Sequence, residues 1–277
     1  MSTSIAVLQM TTGIDPEANL RALVAGIEKA AEGGARMLFT PEMSGLLDQN
    51  RKRAAANVLP EQNHPILEAL CKAAAHHGVW IAIGSLAIAG DGADARWANR
   101  SFVIDGKGAI RARYDKMHMF DVSLDDGESW RESNAYVPGD SVVTVETPVG
   151  RLGLAICYDI RFPGLFDALG REKCDVIAIP AAFTRPTGRD HWHVLQRARA
   201  IESSCYVVSA AQVGEHEDGR ATYGHSLVVD PWGDVVLDMG GETAGLAFAE
   251  IDPERITKVR RQVPNLANRR TIPTSGA

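Results

Sequence analysis

The chain has 277 residues, 45% hydrophobic and 23% charged, with a net charge of −6. This is close to the globular average and allows a large buried core. The acidic balance argues against a nucleic-acid partner. The longest apolar run, residues 79–89, is broken by Gly84 and Ser85 and falls well short of the roughly 18 residues of a membrane span.

In chain order, residues 4–10 read as a short buried strand. Asp15-Pro16 then gives an N-cap followed by proline at the first helical position. Leu20, Leu23, Val24, Ile27 and Ala31 follow at helical spacing, and Gly33-Gly34 ends the pattern. Residues 37–40 form a second strand, stopped by Pro41. A helix over 65–76 and a strand over 79–84 come next. Residues 100–105 and 109–114 flank Gly106-Lys107-Gly108, a hairpin signal. Residues 142–146 and 152–156 flank Pro148-Val149-Gly150, a second one. Residues 166–172 read as helix, 176–180 as strand and 192–203 as an amphipathic helix. Strands over 206–211, 227–229, 235–238 and 246–251 precede a short helix from Pro253.

Strands and helices therefore alternate with hairpins between them, which predicts a layered α/β sandwich with mixed sheets and outer helices. No repeat or linker divides the chain, so one domain over 1–277 is expected. The polar stretch 115–139 has little periodicity, and a loop that long in a compact domain is usually functional.

Cys71, Cys157, Cys174 and Cys205 are widely spaced, without a Cys-x-x-Cys pair. A disulfide framework or zinc knuckle is not expected, and a reducing, cytoplasmic setting fits. The N-terminus lacks the charged start and apolar run of a signal peptide.

Three residues stand where chemistry gathers, at the ends of strands, of which those before Glu42 and Cys157 are apolar. Glu42 follows Met37-Leu38-Phe39-Thr40-Pro41 and could act as a general base. Lys116 follows Tyr114-Asp115, and a lysine beside a thiol favours thiolate and stabilises an oxyanion. Cys157 follows Leu152-Gly153-Leu154-Ala155-Ile156. Each taken alone has a bland reading: a buried structural thiol, a solvated glutamate, a surface lysine. Cys71, Cys174 and Cys205 keep that bland reading. His191-x-His193 offers two metal-ligand types, but i and i+2 do not face a common ion on a helix and no third ligand is evident. Neither a metal nor a cofactor is expected.

Taken together, the segments Phe39-Thr40-Pro41-Glu42, Tyr114-Asp115-Lys116-Met117-His118 and Gly153-Leu154-Ala155-Ile156-Cys157-Tyr158-Asp159-Ile160-Arg161 resemble the nitrilase superfamily of carbon–nitrogen hydrolases. The resemblance runs from the first strand to about Arg269. Asp115 stands where many relatives carry arginine. The family implies a four-layer α-β-β-α sandwich with two mixed sheets, often paired as a homodimer or higher homo-oligomer through outer helices. It also implies a Glu42–Lys116–Cys157 triad acting through a thioester, with the Tyr158 N–H as a second oxyanion donor. A second glutamate looks like Glu132, with Glu128 the alternative.

The segments Cys157-Tyr158-Asp159-Ile160-Arg161-Phe162-Pro163 and Tyr223-Gly224-His225-Ser226 look like the Nit-type amidase branch. That branch implies a small-molecule amide substrate, with Arg161, Phe183 and Thr187 lining its pocket beside Tyr158. Arg161 would grip a carboxylate unless it pairs internally with Asp159. Deaminated glutathione, cut to 2-oxoglutarate and Cys-Gly, is the expected substrate. The ω-amides 2-oxoglutaramate and 2-oxosuccinamate are the alternative. Two rival classes are a non-catalytic binding protein on this fold and a transferase that passes the thioester to an acceptor other than water.

Overall fold

Local sequence sets the helix ends. Asp15 accepts from the Glu17 N–H at 2.9 Å with Pro16 at the first helical position, and Asp252 and Pro253 repeat the arrangement. Gly78 closes another helix in the left-handed region, at φ 67°.

The computed structural model describes residues 1–90, 96–123 and 129–272. Its elements begin with β1 (Thr3–Gln9), α1 (Pro16–Glu32), β2 (Met37–Phe39), α2 (Arg51–Ala54), α3 (Pro65–His77), β3 (Trp80–Ile88), β4 (Ala98–Ile104) and β5 (Ile110–Asp115). A small hairpin of β6 (Asp121–Ser123) and β7 (Ser129–Arg131) follows. Next come β8 (Thr144–Thr147), β9 (Gly150–Leu154), α4 (Pro163–Arg171), β10 (Val176–Ala178), α5 (Arg185–Ser203) and β11 (Tyr206–Ser209). A second small hairpin pairs β12 (Val213–Glu215) with β13 (Ala221–Tyr223). The chain then runs through β14 (Leu227–Val229), β15 (Val235–Asp238), β16 (Gly245–Ile251) and α6 (Pro253–Gln262).

Two six-stranded sheets result, ordered β16-β1-β2-β3-β4-β5 and β15-β14-β11-β10-β9-β8. Each has three parallel strands at its centre and antiparallel strands outside: β1, β2 and β3 in one, β9, β10 and β11 in the other. Strand alternation divides the core. Ala6, Leu8, Leu38, Ile81 and Ile83 face Leu23 and Ile27 of α1 and Leu67 and Leu70 of α3. Ile5, Val7, Met37, Phe39 and Val103 face the second sheet, whose Leu152, Leu154, Val176 and Val207 share a core with Phe166 of α4 and Trp192 of α5. The layers are therefore α-β-β-α, the order the family resemblance implies.

Three local differences from the sequence reading have physical causes. β3 runs through Gly84 and Ser85 to Ile88, with a register irregularity between Ile83 and Leu86. A side chain at Gly84 would lie 2.2 Å from the Thr40 carbonyl, so glycine permits β3 to pass against the Thr40-Pro41 peptide. α5 starts at Arg185 rather than 192, because Pro186 sits in its first turn while Gly188 and polar neighbours hide the apolar period. The 115–139 stretch holds the β6–β7 hairpin and a 3-10 turn, Glu132–Asn134, that no periodicity announces.

Candidate active site

Glu42 lies just past β2, and its backbone is held from several sides. The Gln212 side-chain amide donates to its carbonyl at 2.8 Å, and the next residue, Met43, takes φ 56° while its N–H donates to Ser85 Oγ at 2.9 Å. Lys116 lies just past β5, its N–H bonded to the Asn99 carbonyl at 2.9 Å. β5 runs in the same direction as β2, since β3–β4 and β4–β5 are both antiparallel. Both side chains thus leave the same end of the first sheet.

Cys157 comes from the second sheet. β9 ends at Leu154, and the chain turns into a 3-10 helix, Cys157–Arg161, with Cys157 itself at φ 48°. A non-glycine residue held in this region costs about 1–3 kcal/mol and persists where its surroundings fix it. The Cys157 N–H donates to the Pro180 carbonyl at 2.8 Å, and the Ile156 N–H to Asp159 Oδ2 at 2.9 Å. Asp159 is fully buried and also accepts from the Tyr114 hydroxyl at 2.7 Å and the His118 N–H at 3.0 Å. One aspartate therefore joins the cysteine turn to the segment that carries Lys116.

The three side chains meet at a cavity of about 200 Å³. Lys116 Nζ donates to Glu42 Oε1 at 3.0 Å and to Glu132 Oε2 at 2.8 Å, with its side chain 2% exposed. Glu42 also accepts from the Ala182 N–H at 2.9 Å, and Glu132 from the Phe120 N–H at 2.7 Å. Cys157 lines the cavity beside Glu42, close enough for each to bias the other's charge. Glu132 thus joins the other three; Glu128 lies outside the described residues.

Electrostatics assign the resting protons. Burial opposes charge on Glu42, but the Lys116 ammonium and the Cys157 and Asn99 hydrogen bonds outweigh it and hold the carboxyl below its ordinary 4.5. Burial also opposes charge on Lys116, yet Glu132 and Glu42 hold it well above its ordinary value. Burial and the Glu42 charge push the Cys157 thiol well up, more than Lys116 pulls it down. The nucleophile candidate is a neutral thiol beside a carboxylate. Burial and the Glu42 charge outweigh the one cation, so the thiol needs a base to give up its proton.

Tyr158, Phe183 and Thr187 line the same cavity. Arg161 does not. Its guanidinium lies 5.8 Å from the Tyr158 ring centroid and 5.4 Å from that of Phe183, and hydrogen-bonds the His191 ring at 3.3 Å. Nor does it pair with Asp159, whose oxygens serve backbone N–H groups, the Tyr114 hydroxyl and the His118 ring. Arg51 and Arg220 line the cavity instead, stacked at 5.4 Å over Trp97 and Trp130. Sequence reasoning passed over Asn99, Asp159 as a tie, and these two arginine–tryptophan pairs. The one available signal was a polar Asn99 inside a mostly apolar strand.

The two histidines of His191-x-His193 go separate ways. His193 and His225 both hydrogen-bond the Asp238 carboxylate, at 3.0 and 2.9 Å, away from the cavity. Their ligand atoms and that of Asp238 lie within 4.8 Å of one another.

Comparison with known proteins fits this geometry. A family model described as carbon–nitrogen hydrolase matches residues 4–261. Deaminated glutathione amidase of Yersinia enterocolitica is 37% identical over 272 residues, covering 98% of this chain and 94% of that one. The crystal structure of the C. elegans NitFhit protein superposes with a TM-score of 0.89 at 38% identity, covering 97% of this chain and 65% of that chain. Nit3 of Saccharomyces cerevisiae, a member of branch 10 of the nitrilase superfamily, gives 0.85 at 28% identity, covering 95% and 94%.

Proposed function

This chain belongs to the carbon–nitrogen hydrolase family of the nitrilase superfamily, and we propose that it hydrolyses deaminated glutathione to 2-oxoglutarate and Cys-Gly. The observation that carries the chemistry is the buried Cys157 thiol on the same cavity wall as Glu42, itself paired with Lys116. The substrate is suggested by the name of the Yersinia enterocolitica relative.

In this reading Glu42 takes the thiol proton as Sγ attacks the amide carbon. The Lys116 ammonium and the Tyr158 N–H stabilise the oxyanion. Glu42 returns the proton to the leaving nitrogen, the C–N bond breaks, and Cys-Gly departs from a thioester on Cys157. A water, deprotonated by Glu42, then hydrolyses the thioester to 2-oxoglutarate and restores the thiol. Glu132 holds Lys116 in place throughout. Tyr158, Phe183 and Thr187 shape the pocket. Arg51 takes the carboxylate role expected of Arg161, since it lines the cavity and hydrogen-bonds the Asn134 carbonyl (2.5 Å) rather than an acid.

We further read residues 1–277 as one hydrolase domain. Four free cysteines support a reducing, cytoplasmic setting. Exposed Val194 and Ile201 on α5, with Trp232, Val235 and Val236 near it, support a homo-oligomer paired through that face. Among the described residues, no helix is long and apolar enough to cross a membrane. The deciding experiment compares kcat/KM for deaminated glutathione and 2-oxoglutaramate with pure enzyme. A ratio well above one is expected; a ratio at or below one would transfer the assignment to an ω-amidase.

A further inference from the structure

We infer that Asn99 is a positioning residue, which holds Glu42 and Glu132 at a fixed separation and selects the Glu42 oxygen that receives the thiol proton. The inference rests on the reading of Glu42 as the base.

Asn99 sits in β4, fully buried, opposite Ala87 of β3. Its amide nitrogen donates to Glu42 Oε1 at 2.9 Å and to Glu132 Oε1 at 3.1 Å. Lys116 Nζ donates to the same two oxygens, at 3.0 and 3.1 Å. Two nitrogens and two oxygens therefore close a ring, in which each carboxylate oxygen lies between a cation and a neutral amide.

The amide orientation follows from chemistry. Turned over, Asn99 would present its oxygen to two carboxylate oxygens, with no hydrogen between any pair. The structure instead leaves Asn99 Oδ1 buried without a hydrogen-bond partner. Buried polar atoms nearly always have partners, and exceptions concentrate where function demands the arrangement. Both amide hydrogens are committed to the carboxylates, and the orphaned oxygen is the consequence.

Asparagine suits the position because it adds two donors and no charge. A second lysine would pair fully with Glu132 and weaken the hold of Lys116 on Glu42. An aspartate would add a third acid. With Oε1 occupied by Lys116 and Asn99, Oε2 is the oxygen left to Cys157, aimed by the Ala182 N–H at 2.9 Å. The titratable groups facing Glu42 are Lys116 after β5, Glu132 and Tyr136 beside the 3-10 turn, and Cys157 after β9.

The test reads thiol activation without a substrate. Full-length wild type, Asn99→Leu and Glu42→Gln are alkylated with iodoacetamide across pH, and the Cys157 peptide is followed by mass spectrometry. Asn99→Leu keeps the volume and removes both donors. It should slow Cys157 alkylation about tenfold near neutrality and move the acid limb up by about half to one pH unit, because Glu42 loses a hydrogen bond to its charged form. In turnover, kcat should fall while KM stays within about twofold. A folded Asn99→Leu with the wild-type rate and limb overturns the inference. Asn99→Ser keeps one donor and should give a smaller shift in the same direction; it takes over if the leucine variant does not fold, and a wild-type limb there overturns the inference equally. Glu42→Gln separates the two levels: normal alkylation in that variant defeats the base assignment itself, whereas loss there with a normal limb in Asn99→Leu defeats only the role of Asn99.

Discussion

The Tyr114 hydroxyl donates to Asp159 Oδ2 at 2.7 Å across the interface between the two sheets. Tyr114 lies in β5, two residues before Lys116; Asp159 belongs to the turn that holds Cys157 at φ 48°. Burial and the Asp159 charge push the tyrosine hydroxyl far up, so it remains a donor at any working pH. Tyr114→Phe leaves the buried carboxylate short of one partner. The expected loss is about 1–3 kcal/mol of stability, read by urea unfolding. Activity should fall as well, because the cysteine turn loses its link to the lysine segment.

Cys157→Ala should abolish turnover while circular dichroism and Tm remain close to wild type. Cys174 and Cys205 are buried, with burial pushing their thiols up, to about 12 for Cys174, which makes them poor nucleophiles. Alanine at either position, or at Cys71, should keep most activity. Substantial turnover by Cys157→Ala would refute the thioester route.

Lys116→Met should reduce kcat at least about 10²–10³-fold, the typical loss of one oxyanion donor. It also strands Glu42 and Glu132, at 3.0 and 2.8 Å from the missing ammonium. Breaking a buried ion pair costs about 3–5 kcal/mol. The double variant Lys116→Met/Glu132→Gln should recover part of that stability and none of the rate. Thermal melts and kcat on the same preparations separate the two effects.

The acid limb of kcat/KM should lie below the ordinary carboxylate value of 4.5, because Glu42 is held down by Lys116. A depressed folded value means that Glu42 contributes fully to stability above its unfolded value, and that this contribution is lost as pH falls through the folded one. Lys116 is raised, so its contribution is complete below its ordinary 10.5 and is lost only as pH rises beyond it. Stability attributable to the pair should therefore be flat from about pH 5 to pH 10. A limb midpoint near 6, in protein still folded by circular dichroism, would contradict this.

Arg51→Gln should raise KM for amides with a free carboxylate about tenfold, roughly 1.4 kcal/mol, and leave their uncharged analogues nearly unchanged. Arg161→Gln should leave KM for both kinds of substrate nearly unchanged, since its guanidinium packs against Tyr158, Phe183 and His191. Steady-state kinetics on paired substrates decides which arginine reads the acid.

Glu42 and Cys157 were legible because each follows a short apolar strand, and Lys116 because its segment at the end of β5 resembles the family's. The layers were legible because strands and helices alternate along the chain and α1 keeps an apolar period, while β1, β2 and β3 are buried on both faces. Asn99, Asp159 and Arg51 act through partners distant in sequence, so register and sheet packing decide where they point. Arg161 shows the converse. Four residues from the cysteine it seemed aimed at the pocket, but after the 3-10 turn its guanidinium packs on the Tyr158 and Phe183 rings and bonds His191. Helix α5 was read seven residues short because its first turns, Arg185 to His191, carry no apolar period.

Thr3 of β1 pairs with Ile251 of β16, so the two edges of the longest contact in the first sheet are made almost a full chain apart. During synthesis, β1 carries a bare hydrogen-bonding edge until that last strand emerges from the ribosome. An exposed edge invites pairing with another chain, and such distant pairing slows folding. The nascent protein is thus expected to need shielding by a chaperone for most of its translation. Ribosome-stalled chains in which Gly245–Ile251 has not emerged should be captured by a holdase and attacked by protease, and the full-length protein released from the ribosome should escape both.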